Sequence, residues 1–107
     1  MDLTMSARQR GVQSLVRVGG ELDLVSARPL EVFLSEVLRT GSARLAVDLA
    51  GVTFIDCTGL GVVLRARDAS LFRGGGLSVV AAPCRVRALL ALTGTRALLA
   101  PARRRRG

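Results

Sequence analysis

The stretch Leu45–Leu64, LAVDLAGVTFIDCTGLGVVL, decides how this chain reads. Leu45-Ala46-Val47-Asp48-Leu49 is largely apolar and predicts a central, buried strand. From Gly59 to Phe72 the spacing becomes helical, with Leu60, Val63, Leu64 and Leu71 predicted on one inner face. Arg65, Arg67 and Asp68 suit its exposed side. Between the two patterns lies Asp56-Cys57-Thr58-Gly59-Leu60. A carboxylate, a thiol and a hydroxyl therefore meet where a strand hands over to a helix. Free N–H groups and the positive end of a helix dipole favour an anion at such a place. This is the candidate site.

Working outward, two extended segments are expected first, Leu3 to Ser6 and Val12 to Val18, flanking the polar turn Arg8-Gln9-Arg10-Gly11. Val12, Ser14, Val16 and Val18 would share one strand face, and Gly19-Gly20 would break the strand. A helix follows, with Ser26 as N-cap and Pro29 in its first turn, where a missing N–H costs little. Leu30, Phe33, Leu34, Val37 and Leu38 follow the spacing of one buried face, and Thr40-Gly41 ends the helix. Beyond the second helix, Gly74-Gly75-Gly76 stops it and Leu77 to Ala81 is another apolar strand. Pro83 opens a third helix with Val86, Leu89, Leu90 and Thr93 inward and Gly94 at its end. Ala97 to Ala100 reads as a short last strand. The order β-β-α-β-α-β-α-β implies an α/β domain with a largely parallel sheet, its first two strands pairing antiparallel.

Composition narrows the function. A chain of 107 residues is one domain with a modest core. Half of its residues are hydrophobic, which argues for a folded globule. No window reaches the roughly 18 apolar residues of a membrane span, and the N-terminus lacks a signal-peptide core. A cytoplasmic, soluble protein is expected. The net charge is +8, half of it from Arg103-Arg104-Arg105-Arg106, which reads as a solvated tail. Tyr and Trp are absent and Phe occurs three times, so specific nucleic-acid binding by stacking is not expected. There is no His, and every basic residue is Arg. That removes Ser-His and Cys-His catalysis, histidine metal ligation and lysine chemistry. Two Cys, Cys57 and Cys84, are too few for a zinc site or a disulfide scaffold. Gly74-Gly75-Gly76 is no phosphate-binding loop, and Gly59-Leu60-Gly61 fits close backbone approach and helix packing equally well. No catalytic residue, metal or cofactor is expected.

The segments Gly20-Glu21-Leu22-Asp23, Val47-Asp48-Leu49 and Phe54-Ile55-Asp56-Cys57-Thr58-Gly59-Leu60-Gly61 together resemble a STAS domain of the anti-sigma factor antagonist kind. Gly75-Gly76-Leu77-Ser78-Val79-Val80, Val86-Arg87-Ala88-Leu89-Leu90 and Thr93-Gly94 continue the likeness, which runs from about Leu15 to Leu99. It implies a STAS-like single domain over residues 1–101, with a mixed, mostly parallel sheet of four or five strands and three main helices; the arginine run makes 102–107 a basic tail. The likeness also implies a binding switch. Such antagonists bind an anti-sigma factor that is a Ser/Thr kinase of the GHKL type, and so release a sigma factor. The kinase phosphorylates the antagonist, the complex parts, and a Ser/Thr phosphatase resets it. Asp23, Asp56, Cys57, Thr58, Gly59 and Leu60 are the partner-binding residues by this likeness, in a monomer or weak dimer.

The family's motif is Asp-Ser-Ser/Thr-Gly-Leu, with the phosphate on the first hydroxyl residue. Here Cys57 holds that position. Three readings stay open. Thr58 is the acceptor instead; the protein binds its partner constitutively; or Cys57 is redox-sensitive, because a helix start favours a thiolate. Cys57 could equally be a small buried residue in the serine's place, and Cys84 a packing residue. A Cys57-based enzyme is a further alternative, but it lacks a His base. A STAS scaffold module in a larger signalling assembly is another. Asp23 and Asp56 serve as helix caps and plausible neighbours of the switch, while Asp48 is structural.

Overall fold

In the computed structural model, which describes residues 3–100, two strands open the chain: β1 (Thr4–Arg10) and β2 (Gln13–Leu22). There follow α1 (Leu24–Thr40), β3 (Arg44–Ile55), α2 (Cys57–Phe72), β4 (Gly76–Ala81) and α3 (Cys84–Leu92). A 3-10 turn spans Arg96–Leu98. The four strands lie in chain order across one sheet. β1 pairs antiparallel with β2, while β2–β3 and β3–β4 are parallel. The expected mixed, mostly parallel sheet with three helices is therefore present. The Arg103–Arg106 run lies outside the described residues.

Period-two alternation builds the core. Val16 pairs with Val47, and Val47 with Val79, so one row of branched side chains crosses three strands on one face. Ser14, Leu45 and Leu77 form the next row. Leu30, Leu34, Val37 and Leu38 of α1, Leu60, Val62 and Val63 of α2, and Val86 and Leu90 of α3 close over it as one apolar cluster. Fully burying each such side chain contributes roughly 1.5–3 kcal/mol.

Several local expectations are corrected. Gly19-Gly20 does not break the second strand; it runs on to Leu22, with shifts of register around these residues. Val12 leaves the strand face for the hairpin turn and is exposed. β3 likewise continues past Gly51 to Ile55. Ser26 is not the N-cap of α1. Asp23 is, its Oδ1 accepting from the N–H of Val25 at 3.0 Å and of Ser26 at 3.1 Å. Ser26 completes a capping box by accepting from the Asp23 N–H at 2.9 Å. The earlier start leaves Pro29 inside the helix rather than in its first turn. In α2, Ser70 is buried in place of Leu71, which is about half exposed at 49 %. Ser70 stands seven residues, almost two full turns, after Val63, and Leu71 is rotated a further 100° or so. The Ser70 hydroxyl donates to the Ala43 carbonyl, which meets its hydrogen-bonding need in the core. Thr93 faces solvent and its hydroxyl donates to the Leu89 carbonyl at 2.8 Å. The last segment forms no strand: Leu99 makes a single parallel bridge to Val79 beyond the 3-10 turn.

Two connections hold the helices to the sheet. The Arg73 guanidinium donates to the Leu38 carbonyl at 2.6 Å, tying the ends of α2 and α1. At the other end, Gly59 lies against Leu22, where a Cβ would overlap the Leu22 carbonyl oxygen. Gly61, two residues on, faces only the Arg65 side chain. Gly59→Ala is therefore expected to destabilise the fold by about 3 kcal/mol. Gly61→Ala should be neutral or stabilising by up to about 1 kcal/mol, since Ala is the better helix former. Urea unfolding of the two variants, compared with the parent at equal m-value, checks the contrast.

Candidate functional site

The site is built where two neighbouring parallel strands end. Leu22 of β2 stands opposite Ile55 of β3, so the residues that follow, Asp23 and Asp56, turn off the sheet side by side. Each then caps a helix. The Asp56 Oδ1 accepts from the Gly59 N–H at 3.0 Å, and the Leu60 N–H closes the first turn onto the Asp56 carbonyl at 3.0 Å. The Asp56 N–H donates back to the Leu22 carbonyl at 3.1 Å, which joins the two strand ends directly. The caps that the sequence offered as one role for Asp23 and Asp56 are present, and the register brings both carboxylates to one edge.

The remaining motif residues divide by exposure. Gly59 and Leu60 are buried, with Leu60 in the main apolar cluster. Cys57 and Thr58, the first two residues of α2, are exposed. This overturns the reading of Cys57 as a small buried filler. Cys84 is likewise exposed, as the first residue of α3, and is not a packing residue. The side-chain hydrogen bonds among the described residues do not use Thr58, so its hydroxyl is not committed to capping the helix. Asp48 is structural, as expected: its Oδ1 accepts from the Ala50 N–H at 2.8 Å inside β3.

Apolar groups that sequence reasoning did not assign to the site surround this edge. Leu24 and Val25, the first residues of α1, are 75 % and 81 % exposed, and Phe54 near the end of β3 is 45 % exposed. The signal was available in part: Leu24 and Val25 precede the buried spacing that starts at Leu30. Phe54 carried no such signal, because its facing depends on the register shift between Gly20 and Glu21.

The charge environment is simple. Away from the site, on α1, Glu36 pairs with Arg39. There a hydrogen bond and the charge of Arg39 hold Glu36 below the usual carboxylate range. Among the described residues, no three His, Cys, Asp or Glu side chains are grouped to hold a metal ion. No described helix is long and apolar enough to cross a membrane. What remains at the site is a capped turn that displays a thiol and a hydroxyl at the sheet edge where two carboxylates and exposed apolar residues also lie. Both thiols are expected to react with a maleimide in the native protein, without denaturant. Mass spectrometry of the labelled chain checks this, and a Cys57 that labels only on unfolding would contradict the geometry.

Comparison with known proteins assigns the fold to a family. A family model described as "Mlab, STAS domain" matches residues 5–100. The anti-sigma-B factor antagonist of Staphylococcus epidermidis is 32% identical over 84 residues, 78% of each chain. The crystal structure of an anti-sigma factor antagonist from Mycobacterium paratuberculosis superposes with a TM-score of 0.77 at 26% identity, covering 92% of this chain and 83% of that one. The Bacillus cell fate determinant SpoIIAA in its phosphorylated form has the same fold, with a TM-score of 0.71 at 15% identity over 91% of this chain and 89% of that one. By the family model and these relatives, the chain belongs to the STAS domain family of anti-sigma factor antagonists.

Proposed function

We propose that this chain is a cytoplasmic, non-catalytic antagonist that binds an anti-sigma factor of the GHKL kinase type and so releases a sigma factor. Asp23, Asp56, Cys57 and Thr58 supply the polar contacts, and Gly59 and Leu60 anchor the turn beneath them. Leu24, Val25 and Phe54 supply apolar area around it. The observation that carries the reading is the exposed Cys57-Thr58 pair at a capped helix start, in a chain with an anti-sigma-B factor antagonist as relative.

Thr58 is the phosphate acceptor in this reading. It is the one hydroxyl residue between Asp56 and Leu60, and it is exposed. A phosphate there adds about −1.5 to −2 charges. The free N–H groups of the helix start tolerate it within the chain itself. The partner does not, because the added charge joins Asp23 and Asp56 on a surface that must be desolvated on binding. Switching thus changes the surface and leaves the fold intact. A Ser/Thr phosphatase resets it, and the protein acts as a monomer or weak dimer. The phosphorylated form of SpoIIAA, a chain of the same fold, supports a switch of this kind.

A second reading is favoured by Cys57 itself. A thiol in the usual acceptor position is no substrate for a Ser/Thr kinase, which would leave a constitutive antagonist. Incubation with a GHKL-type anti-sigma kinase and ATP, followed by peptide mass spectrometry, separates the two. Phosphate on Thr58, abolished in Thr58→Val, is the expected result. Thr58→Asp should weaken the complex at least tenfold, and Cys57→Ser should create a second acceptor. Tight binding with no phosphate on the parent chain supports the constitutive antagonist. Failure to bind any such kinase would overturn both.

A further inference from the structure

The helices cover only one face of the sheet. The other face carries Arg8 and Arg10 of β1, Arg17 of β2 and Arg44 of β3, all exposed. Their placement follows from the register. Arg8 faces Leu15, Leu15 faces Ala46 and Ala46 faces Ser78, one row across all four strands on the side away from the Val16–Val47–Val79 row. The shallow depressions along this face are lined by strand residues, their flanking turn residues and Ala100, with no residue of the three helices. Among the described residues, Glu21 shares this face at the far end of β2, and Asp48 stands among the arginines. Asp48 already accepts from the Ala50 N–H and lies 3.7 Å from the Arg17 guanidinium. Arg8, Arg10 and Arg44 have no carboxylate partner among the described residues.

The middle of the face is apolar. Leu15, Ala46 and Val80 form a floor in one depression, with Arg10 on its rim. Arg44 borders the adjoining depression that shares Ala46 and Val80. Ala46 is recessed at 5 % exposure between the larger side chains of Leu15 and Val80, the latter 48 % exposed, which makes a trough with Ala46 at its base.

We propose that this face is a docking surface for an acidic amphipathic helix of a second protein partner, distinct from the partner at the Asp56 turn. The apolar stripe of such a helix lies on the Leu15–Ala46–Val80 trough, and its flanking carboxylates meet the arginines on both sides. Arginine suits this role because its planar fork pairs with a carboxylate through two parallel hydrogen bonds. Nucleic acid fits less well, because Phe33 and Phe72 lie on helices and Phe54, which pairs with Glu21 on this face, stands six residues along β2 from Leu15 at the other end of the strands, leaving no ring beside the arginines on which a base could stack. A bilayer fits less well too, because the apolar area on the sheet is confined to Leu15, Ala46 and Val80 between arginines and offers no long apolar stripe to insert.

The test titrates the isotope-labelled full chain with a synthetic helical peptide that has leucines on one stripe and glutamates on both flanks. Saturable amide shifts at Leu15, Ala46 and Val80, weakened by added salt, are expected. The double variant Arg8→Glu/Arg44→Glu should raise Kd at least tenfold, and Arg8→Gln/Arg44→Gln should raise it less, with melting temperatures close to the parent. Equal binding of a peptide with the same composition and a scrambled stripe would overturn the proposal. So would shifts confined to the Asp56 turn, the absence of saturable shifts, or tighter binding to single-stranded RNA or to anionic vesicles. Because Arg8 and Arg44 lie away from the Asp56 turn, binding of the kinase partner should be unchanged in both double variants.

Discussion

The contact between Leu22 and Gly59 governs the functional end of this molecule. β2 ends with its carbonyl pressed against the first turn of α2, at a separation that leaves no room for a side chain on residue 59. The same carbonyl accepts the Asp56 N–H. One backbone group therefore fixes where α2 begins, how close it lies to the sheet and which way its first residues point. A helix start held so firmly keeps Cys57 and Thr58 in one orientation. Their display is a property of the backbone and does not need a buried side chain of their own.

That arrangement divides the motif into two layers. Gly59 and Leu60 belong to the core and make the turn possible. Asp56 belongs to both layers, since its carboxylate satisfies the helix while its position marks the edge of the exposed surface. Cys57 and Thr58 are free of structural duty. Free termini of this kind suit regulation, because a charge added there acts on a partner and not on the fold. The exposed apolar residues Leu24, Val25 and Phe54 at the same end are consistent with a surface that is covered in use. The two faces of the sheet divide in a similar way. Branched residues on one side bind the helices, and the alternation that puts them there sends Arg8, Arg17 and Arg44 to the other.

Much of this was legible in the order of residues. Helix and strand type follow from periodicity, which needs only neighbours a few positions apart. The inner face of α1 was readable from Leu30, Phe33, Leu34, Val37 and Leu38, and the motif Asp56–Leu60 marked the site. The misread details share a cause. Ser26 and Asp23 are both good caps, and the choice between them was made by Ser26 reaching the Glu21 carbonyl at 2.6 Å, a group of β2. Gly19-Gly20 carries a local preference for breaking a strand, which eight paired positions between β2 and β3 outweigh. Leu71 lost its inner place to Ser70, which stands seven residues after Val63 and whose hydroxyl is satisfied in the core by the Ala43 carbonyl.

By itself, then, the sequence determined the alternation of strands and helices, the absence of histidine and lysine chemistry, and the Asp56 turn as the candidate site. Tertiary structure alone decided which motif residues face solvent. Exposure of Cys57 and Thr58 depends on the approach of β2 to α2, a contact between residues 37 positions apart, Leu22 and Gly59. It also decided that Arg8, Arg17 and Arg44 form one surface, because strand register is a long-range quantity that no local pattern contains.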